Sequence, residues 1–182
     1  FAVWLDDTTY SAMLHESYYM YNWVESTHVL TLMVSLGMLF LIDLRMLGYA
    51  FPDVPASKIA ERLNFPMLIG FTVMFVTGIL LFYAVPVRSS QSVWFRIKMV
   101  LLVACAVNAF LFHKRMNESV STWDVEARAP DRIRFGAWLS LGFWSIVVIC
   151  GRFIAYDWLD CVRDQPAFIE FLAGCLDGQT RF

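Results

Sequence analysis

An all-α membrane protein is what this sequence predicts: a four-transmembrane-helix bundle with an N-terminal interfacial helix and a short C-terminal extramembrane helix. Three observations lead there. The 182 residues are 59% apolar and 16% aromatic, beyond the range of an ordinary soluble domain. The apolar residues gather into four runs, each near the ~20 residues a helix needs to cross a bilayer. The segments between the runs carry prolines and most of the charge. A net charge of −2 supplies no basic field, so nucleic acid is excluded as a partner.

Residues 1–22 form the N-terminal segment. Tyr10, His15, Glu16, Tyr18, Tyr19, Tyr21 and Trp23 lie in or beside it, an aromatic density expected of a helix at the membrane surface. No basic leader followed by a short apolar run and a small-residue cleavage site is visible. The membrane domain covers residues 23–156, with spans at about 23–47, 66–84, 93–113 and 135–156. Between the first two spans, Pro52 and Pro55 mark a turn. A short surface helix capped by Ser57 follows, and Pro66 then opens span two at a tolerated first-turn position. A charged loop is expected from Lys114 to Arg134. In the extramembrane tail, residues 157–182, Phe168, Phe171, Leu172 and Cys175 repeat at helical spacing.

Four spans place both termini on one side. Eight of the fourteen Lys and Arg fall on the side of the two inner loops, so the positive-inside rule puts those loops in the cytoplasm and both termini in the periplasm. This is the orientation expected in a bacterial inner membrane. Cys161 and Cys175 then face an oxidising compartment and are expected to pair, the alternative being two free thiols. Cys105 and Cys150 lie within apolar spans as small hydrophobes. No Cys-x-x-Cys-His occurs, which excludes covalent haem attachment.

Ionisable residues inside a span are costly unless they face the protein interior or a ligand. His28 early in span one, Lys98 early in span three and Arg152 late in span four share a depth about 6 to 9 Å below the outer face, because alternate spans run in opposite directions. A b-type haem suits that set: His28 as axial ligand to the iron, Lys98 and Arg152 on the propionates with Arg96 as a substitute, and Glu25 taking the other ring proton. The competing reading has His28 bonded to a neighbouring helix and the cations reaching lipid headgroups. His113 lies at the opposite face and could serve only a second haem. His15 could complete a bis-histidine site if its helix folds back. Asn108, at mid-depth, reads as an interhelical hydrogen-bond donor.

Glu25-Ser-Thr-His28, Asp43-Leu-Arg45-Met-Leu-Gly48, Phe95-Arg-Ile-Lys98, Asn108-Ala-Phe-Leu-Phe-His113 and Gly151-Arg-Phe-Ile-Ala-Tyr156 together resemble an uncharacterised bacterial family of four-helix inner-membrane proteins, over roughly Tyr18 to Tyr156. More distantly, His28 and Lys98 resemble the functional histidine–lysine pair of the HemJ-type protoporphyrinogen oxidases, and the chain is also similar to copper-resistance D membrane domains. The HemJ resemblance implies haem b at His28 and Lys98. The tryptophan and Leu-Pro-Arg turn of the HemJ first span are replaced here by Ser35-Leu-Gly-Met and Ile42-Asp-Leu-Arg45, a departure that touches porphyrinogen oxidation rather than haem binding.

Two functions of different classes follow as expectations. One is a haem protein passing electrons between membrane quinol and a periplasmic redox protein docked on the tail helix. The other is a cofactor-free accessory subunit of a larger membrane complex, packed on other membrane subunits through its exposed apolar stripes. The nine methionines are scattered without close pairs, which argues against a copper relay. No nucleophile–base pair or carboxylate pair stands at useful spacing for a hydrolase.

Overall fold

A computed structural model describes residues 2–6, 8, 17–124, 126, 128–161 and 166–175, with the backbone alone at 18 and 117–122. Among these residues the regular structure is helical: α1 (Ala2–Asp6), α2 (Tyr18–Leu47), α3 (Ala56–Ala84), α4 (Pro86–Ser90), α5 (Val93–Trp123), α6 (Asp131–Ala155) and α7 (Ala167–Ala173). Four of them, over Tyr19–Leu47, Ala56–Ala84, Val93–Met116 and Asp131–Ala155, are long and apolar enough to cross a membrane. Much of their surface is apolar and exposed, as a lipid environment requires of a multi-pass membrane protein.

Local chemistry explains where each helix starts and stops, and why three boundaries differ from the sequence expectation. The Ser17 side chain accepts from the Met20 N–H and opens α2 there. Tyr18 to Val24 therefore form the outward extension of α2, because nothing between them and His28 breaks the helix. Helix α2 ends at Gly48, which takes φ 81° and donates to the Arg45 carbonyl.

The expected surface helix and span two are one helix. Pro66 lies inside α3 and the chain runs through it. Ser57 is not its cap; it is itself held by Asp124 from the far loop, its N–H donating to Oδ1 at 2.7 Å and its hydroxyl to Oδ2 at 2.6 Å. Likewise α5 continues past His113 as far as Trp123, taking up the first part of the expected charged loop.

Helix α2 packs along α3, α5 packs along α6, and the two hairpins meet through α2 and α6. Close approach of α2 and α3 depends on Gly70: a Cβ there would stand 2.1 Å from the Ser35 hydroxyl oxygen. Asn108 on α5 donates to the Gly136 carbonyl on α6 at 3.0 Å, the interhelical bond expected of it. The apolar core lies at the loop end, where Ile42, Met46 and Leu47 of α2 meet Ala56 of α3, Met116 and Trp123 of α5 and Ile133 and Ala137 of α6.

Arg45 is 0% exposed within that end. Its Nε donates to the Val54 carbonyl at 2.8 Å and one terminal nitrogen to the Glu126 carbonyl at 3.0 Å, so one side chain joins the α2–α3 loop to the α5–α6 loop. The Ala129 N–H to Met46 carbonyl and Ala56 N–H to Asp124 carbonyl bonds close the same seam.

The opposite end is fastened by its own rim. Ser92 and Asp160 form an isolated antiparallel bridge, and the Val93 N–H donates to the Leu159 carbonyl. Arg88 Nε donates to Asp157 Oδ1 at 2.8 Å. Trp94, Phe153 and Trp158 stack in succession with centroids 4.6 and 5.1 Å apart. Cys161 and Cys175 form a disulfide that ties α7 to this rim.

Replacing Arg45 by Leu leaves two loop carbonyls without their donor and should lower stability by about 2 to 4 kcal/mol, read as a lower unfolding midpoint in detergent. Arg45→Lys should recover only part of this, since a compact ammonium lacks the spread donors that serve both carbonyls. Wild-type stability in both variants would remove the clamp from this account.

Candidate functional site

All four long helices bring residues to one level near the end of the bundle opposite the α2–α3 and α5–α6 loops. His28 lies on α2, Thr77 and Gly78 on α3, Lys98 on α5, and Cys150 and Gly151 on α6. Thr77, Lys98 and Gly151 each sit about 6 to 10 Å inside the near end of their helix. His28, about 15 Å inside the longer α2, is fixed at the same level by its contact with Thr77.

The orientation of the imidazole follows from its contacts with α3. His28 Nδ1 is 3.0 Å from the Thr77 hydroxyl oxygen. That hydroxyl has one hydrogen, and the Val73 and Met74 carbonyls at 2.8 and 3.1 Å compete for it with Nδ1. With the hydrogen on a carbonyl, Thr77 accepts from an Nδ1–H ring and the lone pair is on Nε2; with it on Nδ1, Thr77 donates and Nε2 carries the ring proton. A Cβ placed on Gly78 would lie 3.2 Å from Cε1 and 3.7 Å from Nδ1, with no other ring atom within 4 Å, so the Cε1–Nδ1 edge faces α3 and Nε2 is directed away from it.

Lys98 extends to α6, where its Nζ is 3.7 Å from the position a Gly151 Cβ would take. Its charge acts on both His28 and Cys150. Among the described residues no hydrogen-bond or salt-bridge partner accompanies the ammonium. Gly78 and Gly151 thus make room for the imidazole and for a cation that has no counter-ion among the described residues.

The other expected site residues are placed elsewhere. Arg152 is exposed, bonded to the Tyr156 hydroxyl and lying 4.8 Å over that ring; it turns outward rather than toward His28. Arg96 serves the tail. It donates to the Leu172 carbonyl at 2.6 Å and to the Ser90 carbonyl at 3.3 Å, neutralising the C-terminus of α7. Gly174, at φ 73°, leaves the space that Arg96 fills: a Cβ there would stand 2.4 Å from the guanidinium. Glu25 is exposed one turn above His28, and Thr77 rather than Glu25 stands at Nδ1 of the ring. His113 is exposed at the other end of α5. His15 lies outside the described residues.

Thr77, Gly78 and Gly151 were not legible as site residues, because a threonine or glycine in a span is ordinary packing material. The signal that would have found them is the depth rule already applied to His28 and Lys98, extended to the uncharged positions. Among the described residues no three His, Cys, Asp or Glu side chains gather into a metal-binding group.

Residues 4–157 match a family of unknown function, DUF6644. The chain belongs to that family. The matched region holds the four long helices and every residue of the site. Neither the curated proteins nor the solved structures contain a match to the chain.

Thr77→Val removes the oxygen that faces Nδ1. Nitrogen-15 spectra of histidine-labelled protein should show a single Nδ1–H tautomer in the wild type and a mixture in the variant; an Nε2–H wild-type ring would make Thr77 the donor and overturn this expectation. Gly78→Ala should displace the ring, since 3.2 Å is closer than packed carbons sit, whereas Gly151→Ala at 3.7 Å should leave the His28 signals unchanged.

Proposed function

We propose that this chain is a b-type haem-binding membrane protein that passes electrons between membrane quinol and a periplasmic partner. The observation that carries the reading is the placing, at one level of the bundle, of an imidazole whose Nδ1 is held by Thr77 while Nε2 is directed away from α3, and of an ammonium without a counter-ion among the described residues. A haem has complementary groups, an iron that takes one imidazole nitrogen and propionates that take a cation. Its porphyrin supplies the other four nitrogens, so a single protein ligand suffices. When bound, it would supply one-electron chemistry.

The donor set fits the group in part. His28 would hold the iron, with Thr77 fixing ring orientation as a second-layer partner does at metal-bound imidazoles. Lys98 would bind a propionate. Gly78 and Gly151 keep side chains out of the site. Arg152 and Arg96 take no part, and no second imidazole stands at this depth among the described residues, which leaves one axial position to the chain.

The excess of Lys and Arg on the side of the two inner loops supports a bacterial inner-membrane placement with those loops in the cytoplasm. The Cys161–Cys175 disulfide supports a periplasmic tail, since such bonds persist in oxidising compartments. A second reading, an accessory subunit of a larger complex, is favoured by one observation. Phe171 of α7 is 81% exposed although that helix is fastened by a disulfide and by Arg96.

Protein purified in detergent should show a reducible Soret absorption band, abolished in His28→Ala and displaced or weakened in Lys98→Ala. A wild-type preparation without the band, even after haem is supplied, overturns the haem reading and leaves the subunit reading. Copurified chains in fixed ratio would identify the second role. A C-terminal reporter active only in the periplasm should report tail location, and cytoplasmic activity would reverse the orientation.

A further inference from the structure

A second polar site lies at the opposite end of the bundle, and it does not depend on the haem reading. Asp43 of α2 is 3% exposed, one turn from the inner end of its helix. Ser140 of α6, itself 7% exposed, is the polar side chain that acts on it. Its Oδ2 is buried with no hydrogen-bond partner among the described residues. Apolar groups surround this level: Ala137 and Leu141 flank Ser140 on α6, and Ile42 and Met46 flank Asp43 on α2.

Among the described residues no charged side chain pairs with the carboxyl. Arg45, two residues on, is committed to the Val54 and Glu126 carbonyls. On α3, Lys58, Glu61 and Arg62 are exposed; on α5, His113 and Lys114 are exposed and Arg115 donates to the Arg132 carbonyl. At the start of α6, Arg134 pairs with Asp131. Among the described residues none of these groups forms a salt bridge with Asp43. An ionised carboxylate with one hydroxyl neighbour in such a place is costly by many kcal/mol, so its natural counter-charge is a proton. A metal cation would need several more oxygens than Ser140 provides. The orphaned Oδ2 also calls for a hydrogen-bonding molecule that fits beside it, and water is the one small enough.

We propose that Asp43 and Ser140 form a buried proton-binding site at the loop end of the bundle, with a water on Oδ2 through which the proton exchanges with the solvent at the α2–α3 and α5–α6 loops. The step is a proton transfer alone: the carboxyl O–H bond forms as a hydronium returns to water, and it breaks in the reverse direction. The site lies about 22 Å along α2 from His28, fifteen residues at the helical rise, and so takes its proton from the other face of the membrane.

Infrared spectra of the full chain in lipid nanodiscs, in H2O and D2O across a pH series, test this. At about pH 5 to 6, where exposed carboxyls have ionised, a protonated-carboxyl C=O band should remain, shift down in D2O, fall as pH rises further and be lost in Asp43→Asn. Ser140→Ala should move that band without abolishing it. Absence of any band that Asp43→Asn removes overturns the site. A band unchanged in D2O and at every pH overturns the exchange. If Asp43→Asn fails to fold, Asp43→Glu takes its place: it should move the band, and a band left unmoved overturns the site. A sample lacking haem serves as well as one containing it.

Discussion

Two helical hairpins, α2–α3 and α5–α6, are joined at one end by a single buried guanidinium. Arg45 reaches the backbone of both connecting loops, and Asp124 in the second loop reaches back to hold the start of α3. In an apolar surrounding such bonds have little competition from water, and leaving either carbonyl without a donor is expensive. The clamp sets the two hairpins at a common height. Every residue of the outer site is positioned by counting turns from that height, so the alignment of His28 with Lys98 depends on an interaction some 25 Å away.

At the outer end the fastening is different in kind. The Ser92–Asp160 bridge, the Arg88–Asp157 pair and the Trp94–Phe153–Trp158 stack join the start of α5 to the end of α6. Arg96 and the disulfide then seat α7 beside them. Both arginines that the sequence assigns to an anionic ligand near this depth have nearer acceptors of their own. Lys98 has none among the described residues. That contrast separates a cation available for a ligand from cations already used in holding the fold, and it explains why the site narrows to His28, Thr77 and Lys98.

Hydropathy alone locates four spans, since a helix in lipid must bury about 20 residues in hydrocarbon whatever its neighbours do. Helix ends are less legible. Pro66 looks like a first-turn residue, yet α3 begins ten residues earlier because Asp124, remote in sequence, binds the Ser57 backbone. Asp43 and Arg45 look alike as polar residues closing a span. Only packing distinguishes them: one is bound to two loops, the other has an oxygen without a partner.

The sequence by itself determined the fold class and the depth of each ionisable group, because hydrophobic length and rise per residue are local properties that survive without any partner helix. The paired outer cysteines were also within its reach. Direction around each helix was decided only by tertiary structure, as was the final aim of each long side chain. Those depend on which acceptor lies closest once the helices have packed. Thus Arg96 turned to the end of α7, Arg152 to Tyr156 and Nδ1 of His28 to Thr77, each following the nearest polar or electron-rich group that packing brought within reach.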